Sequence, residues 1–498
     1  MKVRSLLRPA YTMYSSKARH MSSAALIIRK KTLQLFVSPR LFQHVLATET
    51  TTSNNSKRET SSGLITFDDY KSVFEFKSTS ELIRALFVLK LCSFDTLVNN
   101  GEKLMTLSKR ILGDKLYTAA QKKTIYGQFI GGNSLDELMV KVKSLQKGGI
   151  GPLLAVPMED DVGKQTNIEE FERQFDLNMA KTIICLGIVS DLNDSIPMMQ
   201  VKLTALVPGN ICTKLSTYCP KPSENNKDTV EQFASYFRTN KMPHVKHMSS
   251  EEHKQLEAGL NRLRTVFQTG KEKGIWLMVD AEYTYMNPAL NLLTLAMMMN
   301  YNMDKPIVAY TYQNYLKGTN NLLASDIKYI RSQGLGFSAK LVRGAYMTKE
   351  RMLAAKHGYP CPVNDTYEDT SDMYHKSLEI MLQETVKSKQ KVRTIVASHN
   401  ESTVLHAANR MKELGIDKRD GTVVFGQIDG MGDQISYALG KSGYLVYKSI
   451  PYGSIDETLP YLLRRLLENR SVLNGVRRER DLLSSALRHR IKRKFLPI

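Results

Sequence analysis

The sequence predicts an α/β fold, a (β/α)8 barrel, on three observations. From Gly149 onward, apolar runs of five to eight residues alternate with amphipathic helical stretches. Eight such runs fit into roughly 300 residues, the arithmetic of eight βα units. No G-x-G-x-x-G turn follows any run, as the competing doubly wound sheet would normally require.

The chain opens on a segment of different character. Residues 1–47 hold nine Lys or Arg, and no acid precedes Glu49. A start rich in Arg, Lys and Ser and free of acids has the composition of a mitochondrial transit peptide; a disordered basic tail for nucleic acid or membrane is the alternative. Residues 48–65, almost purely polar, read as a linker. From 66 to 148 the apolar period is helical, as in Ser80–Leu89, with Ser78 or Ser80 as a cap. This is a helical pre-domain with no visible chemistry.

The barrel spans 149–482. Its strands are predicted at Gly151–Pro157, Met199–Val207, Ile275–Asp280, Ile307–Tyr312, Phe337–Val342, Val392–Ser398, Thr422–Gly426 and Tyr444–Lys448. Helices fall between them at Asn167–Val189, Pro288–Asn300, Leu322–Gln333, Thr366–Lys387, Ser402–Leu414 and Asp433–Gly440, and a last one covers Glu457–Asn469. The stretch 209–274 is too long for a plain connection and reads as a rim insertion. It is expected to be irregular to Lys241, then helical from Ser249-Ser250-Glu251-Glu252 in the manner of a capping box. Gly440-Lys441-Ser442 is no P-loop, because Ile435 stands where its first glycine belongs. Residues 483–498 form a basic tail.

Composition narrows the function. The net charge of +21 falls to +12 once the nine leader charges are removed (21 − 9 = 12). A basic nucleic-acid-binding protein, the rival from another class, needs a charge stripe with interleaved aromatics on the body, whereas the excess here sits mostly at the ends. The five cysteines (Cys92, Cys185, Cys212, Cys219, Cys361) form no C-x-x-C pair, which suits a reducing compartment and speaks against a disulfide framework or a zinc site. No apolar run has the length of a membrane span.

Functional side chains of a barrel gather at the carboxyl ends of its strands. Those ends carry Lys202 on strand two, Asp280 and Glu282 after strand three, and Gln313 at strand four. Lys340, Leu341 and Tyr346 surround the end of strand five, Ser398-His399-Asn400 that of strand six, and Gln427 that of strand seven. A lysine inside an apolar strand is costly unless paired, so Lys202 is expected to pair with Asp280. His399 has neither a companion nucleophile motif nor a second metal ligand at the usual spacing, so contact with a cofactor suits it better and no metal is expected. Gly344 just past strand five permits close backbone approach to a ligand. The adjacent Arg464 and Arg465 point about 100° apart on the last helix and can clamp one small carboxylate, or form a solvated basic face.

Seven motifs occur in order: VKLTAL (201–206), VDAE (279–282), YTYQNYLK (310–317), AKLVRGAYMTKER (339–351), VASHN (396–400), FGQIDGM (425–431) and YLLRRLLENRSVL (461–473). Together they resemble the proline dehydrogenase family, with the likeness running from about Gly149 to Leu482. The resemblance implies a distorted barrel whose final helix lies over the strand ends and which binds FAD without a Rossmann fold. It implies that Arg464, Arg465 and Lys202 hold a substrate carboxylate, with Asp280 orienting them, while Leu341 and Tyr346 pack on a pyrrolidine ring. It places Gln313, Val342, Gly344, Ala345, Ser398, His399, Asn400 and Glu468 at FAD-contacting positions, with Lys340 near the flavin. Gln427, at the end of strand seven, is expected at the cofactor too.

One position departs. Ser449 stands where proline-specific members have a tyrosine over the substrate ring, and YKSIPYGS with ENRSVL is most similar to the hydroxyproline dehydrogenase branch. The expected reaction is oxidation of trans-4-hydroxy-L-proline, and of L-proline less efficiently, to a 1-pyrroline-carboxylate. An L-proline-specific dehydrogenase is the alternative, and a metal-dependent barrel hydrolase the rival among enzymes. Electrons are expected to pass to ubiquinone at the matrix-side surface of the mitochondrial inner membrane. There the tail (Arg488, His489, Arg490, Lys492, Arg493, Lys494, Phe495, Leu496) is expected to dock on anionic lipid.

Overall fold

Each strand sends alternate side chains to two different cores. The computed structural model describes residues 65–156, 168–192, 196–219, 227–471 and 473–495. Its strands are β1 (Ile150–Ala155), β2 (Met198–Val201), β3 (Trp276–Val279), β4 (Val308–Gln313), β5 (Phe337–Val342), β6 (Val392–Ala397), β7 (Val423–Ile428) and β8 (Val446–Pro451). All pair in parallel, in chain order, and β8 closes onto β1, with Leu153 opposite Met198 on one side and Ser449 on the other. Leu153, Met198, Trp276, Met278, Ile395 and Tyr447 face inward and fill the lumen. Their sequence neighbours, Val279, Tyr312, Leu341, Val396 and Phe425 among others, face outward into a larger core beneath the helices. The buried Trp276 indole donates to Ser338 Oγ at 3.0 Å, so its polar edge is satisfied.

Strand limits differ from the predicted ones for physical reasons. β2 stops at Val201 instead of reaching Val207, because Lys202 leaves the sheet and Leu203–Ala205 form a 3-10 turn. Leu203, Ala205, Leu206 and Val207 are all buried, so a buried turn imitates a strand in hydropathy. β8 continues past Lys448 to Pro451, held by β1 along its whole length. Residues 208–241, expected to be irregular, contain the helices Gly209–Tyr218 and Lys227–Thr239. Val230, Phe233, Ala234 and Tyr236 bury one face of the second; the polar, proline-punctuated sequence before it obscured that period. The box at Ser249 forms, with Ser249 Oγ accepting from the Glu252 N–H at 3.2 Å and Glu252 Oε2 accepting from the Ser249 N–H at 2.7 Å. It opens the helix Ser250–Glu272.

Ahead of β1 stand the helices Tyr70–Val73, Thr79–Leu91, Asp95–Asn99, Gly101–Lys123, Ile125–Phe129 and Leu135–Gln146. Ser78 caps the second of these with a capping box to Glu81. Gly113, at φ 69°, breaks Gly101–Lys123 into two helical runs. The chain closes with Ile455–Ser471 and Leu473–Phe495. Ile455 and Leu462 pack with Phe129, Ile130 and Met431, which seats Ile455–Ser471 beside the carboxyl end of β7. Residues 483–495, expected as a tail, continue the helix Leu473–Phe495, with Leu483 and Ala486 buried and Arg490 donating to the Phe74 carbonyl. The leader and most of the linker, residues 1–64, lie outside the described residues. Among the described residues no helix is long and apolar enough to cross a membrane.

Candidate active site

Where β2, β3 and β5 end, the inward positions carry charge instead of hydrocarbon. Strand parity turns Lys340 inward between the outward Ala339 and Leu341, and Asp280 inward past Val279. Lys340 pairs with Asp280; the lysine is 5% exposed and the Asp280 side chain 35%. Lys202, expected to pair with Asp280, turns to Glu282 instead, Nζ to Oε2 3.6 Å. Local anchoring explains the exchange. Thr204, on the turn that follows Lys202, donates to Glu282 Oε1 at 2.6 Å, and the Glu282 N–H donates to Asn287 Oδ1 at 2.7 Å. Burial raises the Glu282 carboxyl pKa, and Lys202 and Thr204 offset only part of that rise. Tyr346 stacks obliquely on Tyr283 at 4.5 Å. Burial, helped by the Glu282 and Asp280 charges, lifts its hydroxyl far above the usual phenol range, so Tyr346 is a neutral donor.

Leu341 lies on the outer parity of its strand. Placed against the substrate ring by resemblance, it is fully buried on the outer face of β5, and its carbonyl accepts from the Tyr374 hydroxyl at 3.1 Å. Lys340 and Val342 face the lumen in its stead, because adjacent strand residues cannot share a face.

Arg464 and Arg465 lie on Ile455–Ser471. Arg465 is 8% exposed, stacks its guanidinium 4.6 Å over Tyr461, and is near enough to His399 to act on its titration. Glu468 is on the next turn, its side chain outside the described residues. On β8, Ser449 donates to Gln200 Oε1 at 2.9 Å, reaching across β1. Gln200 was not singled out in the sequence; its place two residues before Lys202, on the inward parity of β2, was the available signal.

The ends of β4 to β7 form the other half of the rim. Gln313 donates to the Glu282 carbonyl at 3.0 Å and accepts from Asn287 at 2.8 Å, so its amide holds the loop after β3. Asn400 caps Glu401–Glu413, its Oδ1 accepting from the Thr403 N–H at 2.8 Å. Gln427 donates to the Ser398 carbonyl at 3.2 Å and accepts from Ser436 at 3.0 Å. These three side chains therefore hold strand ends in place. His399 differs: Nε2 accepts the Ile428 N–H at 3.1 Å, which puts the proton on Nδ1, and that buried nitrogen has no partner. Burial, with Lys448 and Arg465 close by, pushes its pKa down to about 3, so the ring stays neutral. Gly344 sits where a Cβ would come within 1.9 Å of the Tyr315 ring, and Ala345 beside it is exposed. Among the described residues no cluster of three His, Cys, Asp or Glu is placed to hold a metal ion.

A closed parallel barrel with ion pairs at its strand ends, and with Arg464 and Arg465 on a helix seated beside the end of β7, has its charged groups where (β/α)8 enzymes carry their sites. The family described as proline dehydrogenase matches residues 190–478. Hydroxyproline dehydrogenase of Xenopus laevis is 43% identical over 429 residues, covering 86% of this chain and 91% of its own length. The human protein of that name is 40% identical, covering 84% of this chain and 92% of its own. Human proline dehydrogenase 1, mitochondrial, is 30% identical, with 86% and 90% covered. The chain belongs to the proline dehydrogenase family and is an oxidoreductase. In fold it is similar to the crystal structure of proline utilization A (PutA) from Bdellovibrio bacteriovorus inactivated by N-propargylglycine. The TM-score is 0.56 at 21% identity, over 83% of this chain and 40% of that one.

Proposed function

We propose that the chain is an FAD-dependent dehydrogenase of trans-4-hydroxy-L-proline, with L-proline a poorer substrate. The observation that carries the substrate is Ser449, a small lumen-facing residue whose hydroxyl hydrogen is committed to Gln200. Its oxygen keeps lone pairs that can accept from a ring hydroxyl, and the serine itself brings no aromatic ring to that position. Relatives named hydroxyproline dehydrogenase at 40–43% identity support this over the L-proline-specific alternative suggested by the 30% relative.

The residues present suit FAD. His399 Nδ1 is a buried donor lacking a partner, and a polar cofactor atom would supply one. At Gly432 a Cβ would stand 2.7 Å from that nitrogen, so the glycine keeps the space before it clear. Ser398 Oγ, which accepts the Asn400 N–H at 3.0 Å, retains its own hydrogen to donate. Val342, Gly344, Ala345, Lys340 and Glu468 complete the proposed set, with Gln313, Asn400 and Gln427 holding it in place. Bound there, FAD would supply a two-electron acceptor: loss of a hydride from the carbon next to the ring nitrogen and of the nitrogen's proton would leave a 1-pyrroline-carboxylate, with a membrane quinone as the onward acceptor. Arg464, Arg465 and Lys202 neutralise the substrate carboxylate, Asp280 with Lys340 fixes the rim between them, and Tyr346 closes over the ring. Relatives named mitochondrial support the same compartment, with residues 1–47 as the transit peptide and the inner-membrane surface as the place of work.

Comparing kcat/KM for the two amino acids in wild type and in Ser449→Tyr tests this. Wild type should favour hydroxyproline, and the tyrosine should shift the ratio toward proline by about ten- to a hundredfold, or roughly 1–3 kcal/mol. A wild type that prefers proline, or an unmoved ratio, refutes the assignment.

A further inference from the structure

We infer that the helical segment before the barrel, centred on Gly101–Lys123, is the surface by which this protein lies on an anionic bilayer. The inference rests on the quinone-linked reading above and locates its membrane face. Among the described residues, 21 large apolar side chains are exposed, and nine of them fall between Ile83 and Leu116. They are Ile83, Phe87, Phe94, Leu97, Leu104, Leu107, Ile111, Leu112 and Leu116, from 38% to 72% exposed. Such density within 34 residues is unlike singly scattered surface hydrophobics and marks an interaction face.

The pattern fits a bilayer better than a protein partner. On the helical run before Gly113, Leu104, Leu107 and Ile111 fall within about 60° of one another at 100° per residue. The exposed Lys103 and Arg110 fall along one border of that stripe. Residues 83–123 carry eight Lys or Arg against three Asp or Glu (8 − 3 = +5). An apolar stripe bordered by cations is what an interfacial helix presents to acyl chains and anionic headgroups. Protein interfaces, by contrast, are poor in lysine. The C-terminal basic residues are worse placed, since Leu473–Phe495 turns Leu483 and Ala486 into the protein core.

The position of this face gives it a purpose. Met105 and Tyr117 pack in one cluster with Ile455 and Leu462 of the helix bearing Arg464 and Arg465. Lys109 also bonds Asp456 of that helix at 2.8 Å. A bilayer under Gly101–Lys123 is thus one helix layer from the substrate clamp, close to where a lipid-dissolved acceptor must be reached.

Full-length protein should co-sediment with phosphatidylcholine vesicles containing cardiolipin, weakly with phosphatidylcholine alone, and less as salt rises. Leu107→Glu/Ile111→Glu should weaken binding by about tenfold or more, since two exposed apolar side chains are lost from the contact. Met303→Glu, at another exposed apolar position, should not. Both variants should keep wild-type hydroxyproline turnover with a soluble dye acceptor and an unchanged unfolding midpoint. Wild-type vesicle affinity in the double variant overturns the inference. So does concentration-dependent self-association, seen by sedimentation velocity and abolished by the same double substitution without any vesicle binding in wild type. Absence of dye-linked hydroxyproline oxidation in wild type would instead refute the enzymatic reading, whatever the vesicles show.

Discussion

The Asp280–Lys340 pair should break asymmetrically. Lys340 is 5% exposed in the lumen, whereas the Asp280 side chain is 35% exposed at the rim. Asp280→Ala strands an ammonium on a side chain only 5% exposed, where water has little access. A loss of about 3–4 kcal/mol is therefore expected. Lys340→Met keeps the stem volume and leaves a carboxylate that water reaches, so about 1–2 kcal/mol should be lost. Removing both partners removes the stranded charge, and the double variant should be about 2 kcal/mol more stable than Asp280→Ala alone. Urea unfolding at pH 7 can be followed by fluorescence of Trp276, the sole tryptophan, whose ring lies in the same lumen. Coincident far-UV circular dichroism would license a two-state fit. If Lys340→Met costs as much as Asp280→Ala, or if the double variant costs the sum of the two, the picture of a buried lysine facing a wetter carboxylate is wrong.

Four further outcomes are expected. Arg464→Met or Arg465→Met should raise KM for hydroxyproline by roughly 30-fold to several thousand-fold, the equivalent of about 2–5 kcal/mol, while flavin absorbance is retained; near-normal KM in both would remove the clamp. Asp326, buried and holding a raised pKa of about 7, keeps a proton in the native state that the unfolded chain gives up above pH 3.8. Asp326→Asn should therefore gain stability relative to wild type as pH rises from about 4 to 7. His399, pushed down to about 3, stays neutral while the unfolded chain protonates below 6.5, so His399→Asn should show the opposite slope, gaining relative to wild type as pH falls from 6.5. Urea midpoints across that range decide both. Gly344→Ala should cost about 1–3 kcal/mol through the Tyr315 ring, and Gly344→Ala/Tyr315→Leu should recover part of it.

Much of the fold was legible because strand and helix periods differ, and β5, Phe337–Val342, emerges with its predicted limits. What escaped was whatever hydropathy cannot separate. Leu203 to Val207 are as buried as a strand yet form a turn, and only the backbone partners reveal it. The site was legible in its residue types and less so in its pairings. Lys202 and Asp280 stand at neighbouring strand ends, but Thr204 and Asn287 decide which carboxylate the lysine meets. Gln313, Asn400 and Gln427 look like ligand groups in a list of strand-end polar residues. Their amides also bond within the rim, which is visible only once donors and acceptors are matched.

The parity of β5 links these observations. Inward Lys340 and outward Leu341 are adjacent in the chain, so any shift of register by one residue would exchange an ion-paired lysine for a leucine in the lumen and drive the charge into the outer core. The glycine two residues beyond the strand, with Tyr315 filling the place of its missing side chain, fixes where the strand must end. With that register set, the described side chains of the mouth carry four cations (Lys202, Lys340, Arg464, Arg465) against two carboxylates (Asp280, Glu282), and burial biases Glu282 toward its neutral form. The excess of cations among these six side chains favours a ligand that brings a carboxylate of its own. Ser449 and Gln200 lie on the strands flanking β1, on the opposite arc from Lys340. On the proposed assignment, a substitution at Ser449 should change which ring is preferred without loosening the hold of Arg464 and Arg465 on the carboxylate, read as a shifted kcat/KM ratio with an unchanged response to Arg465→Met.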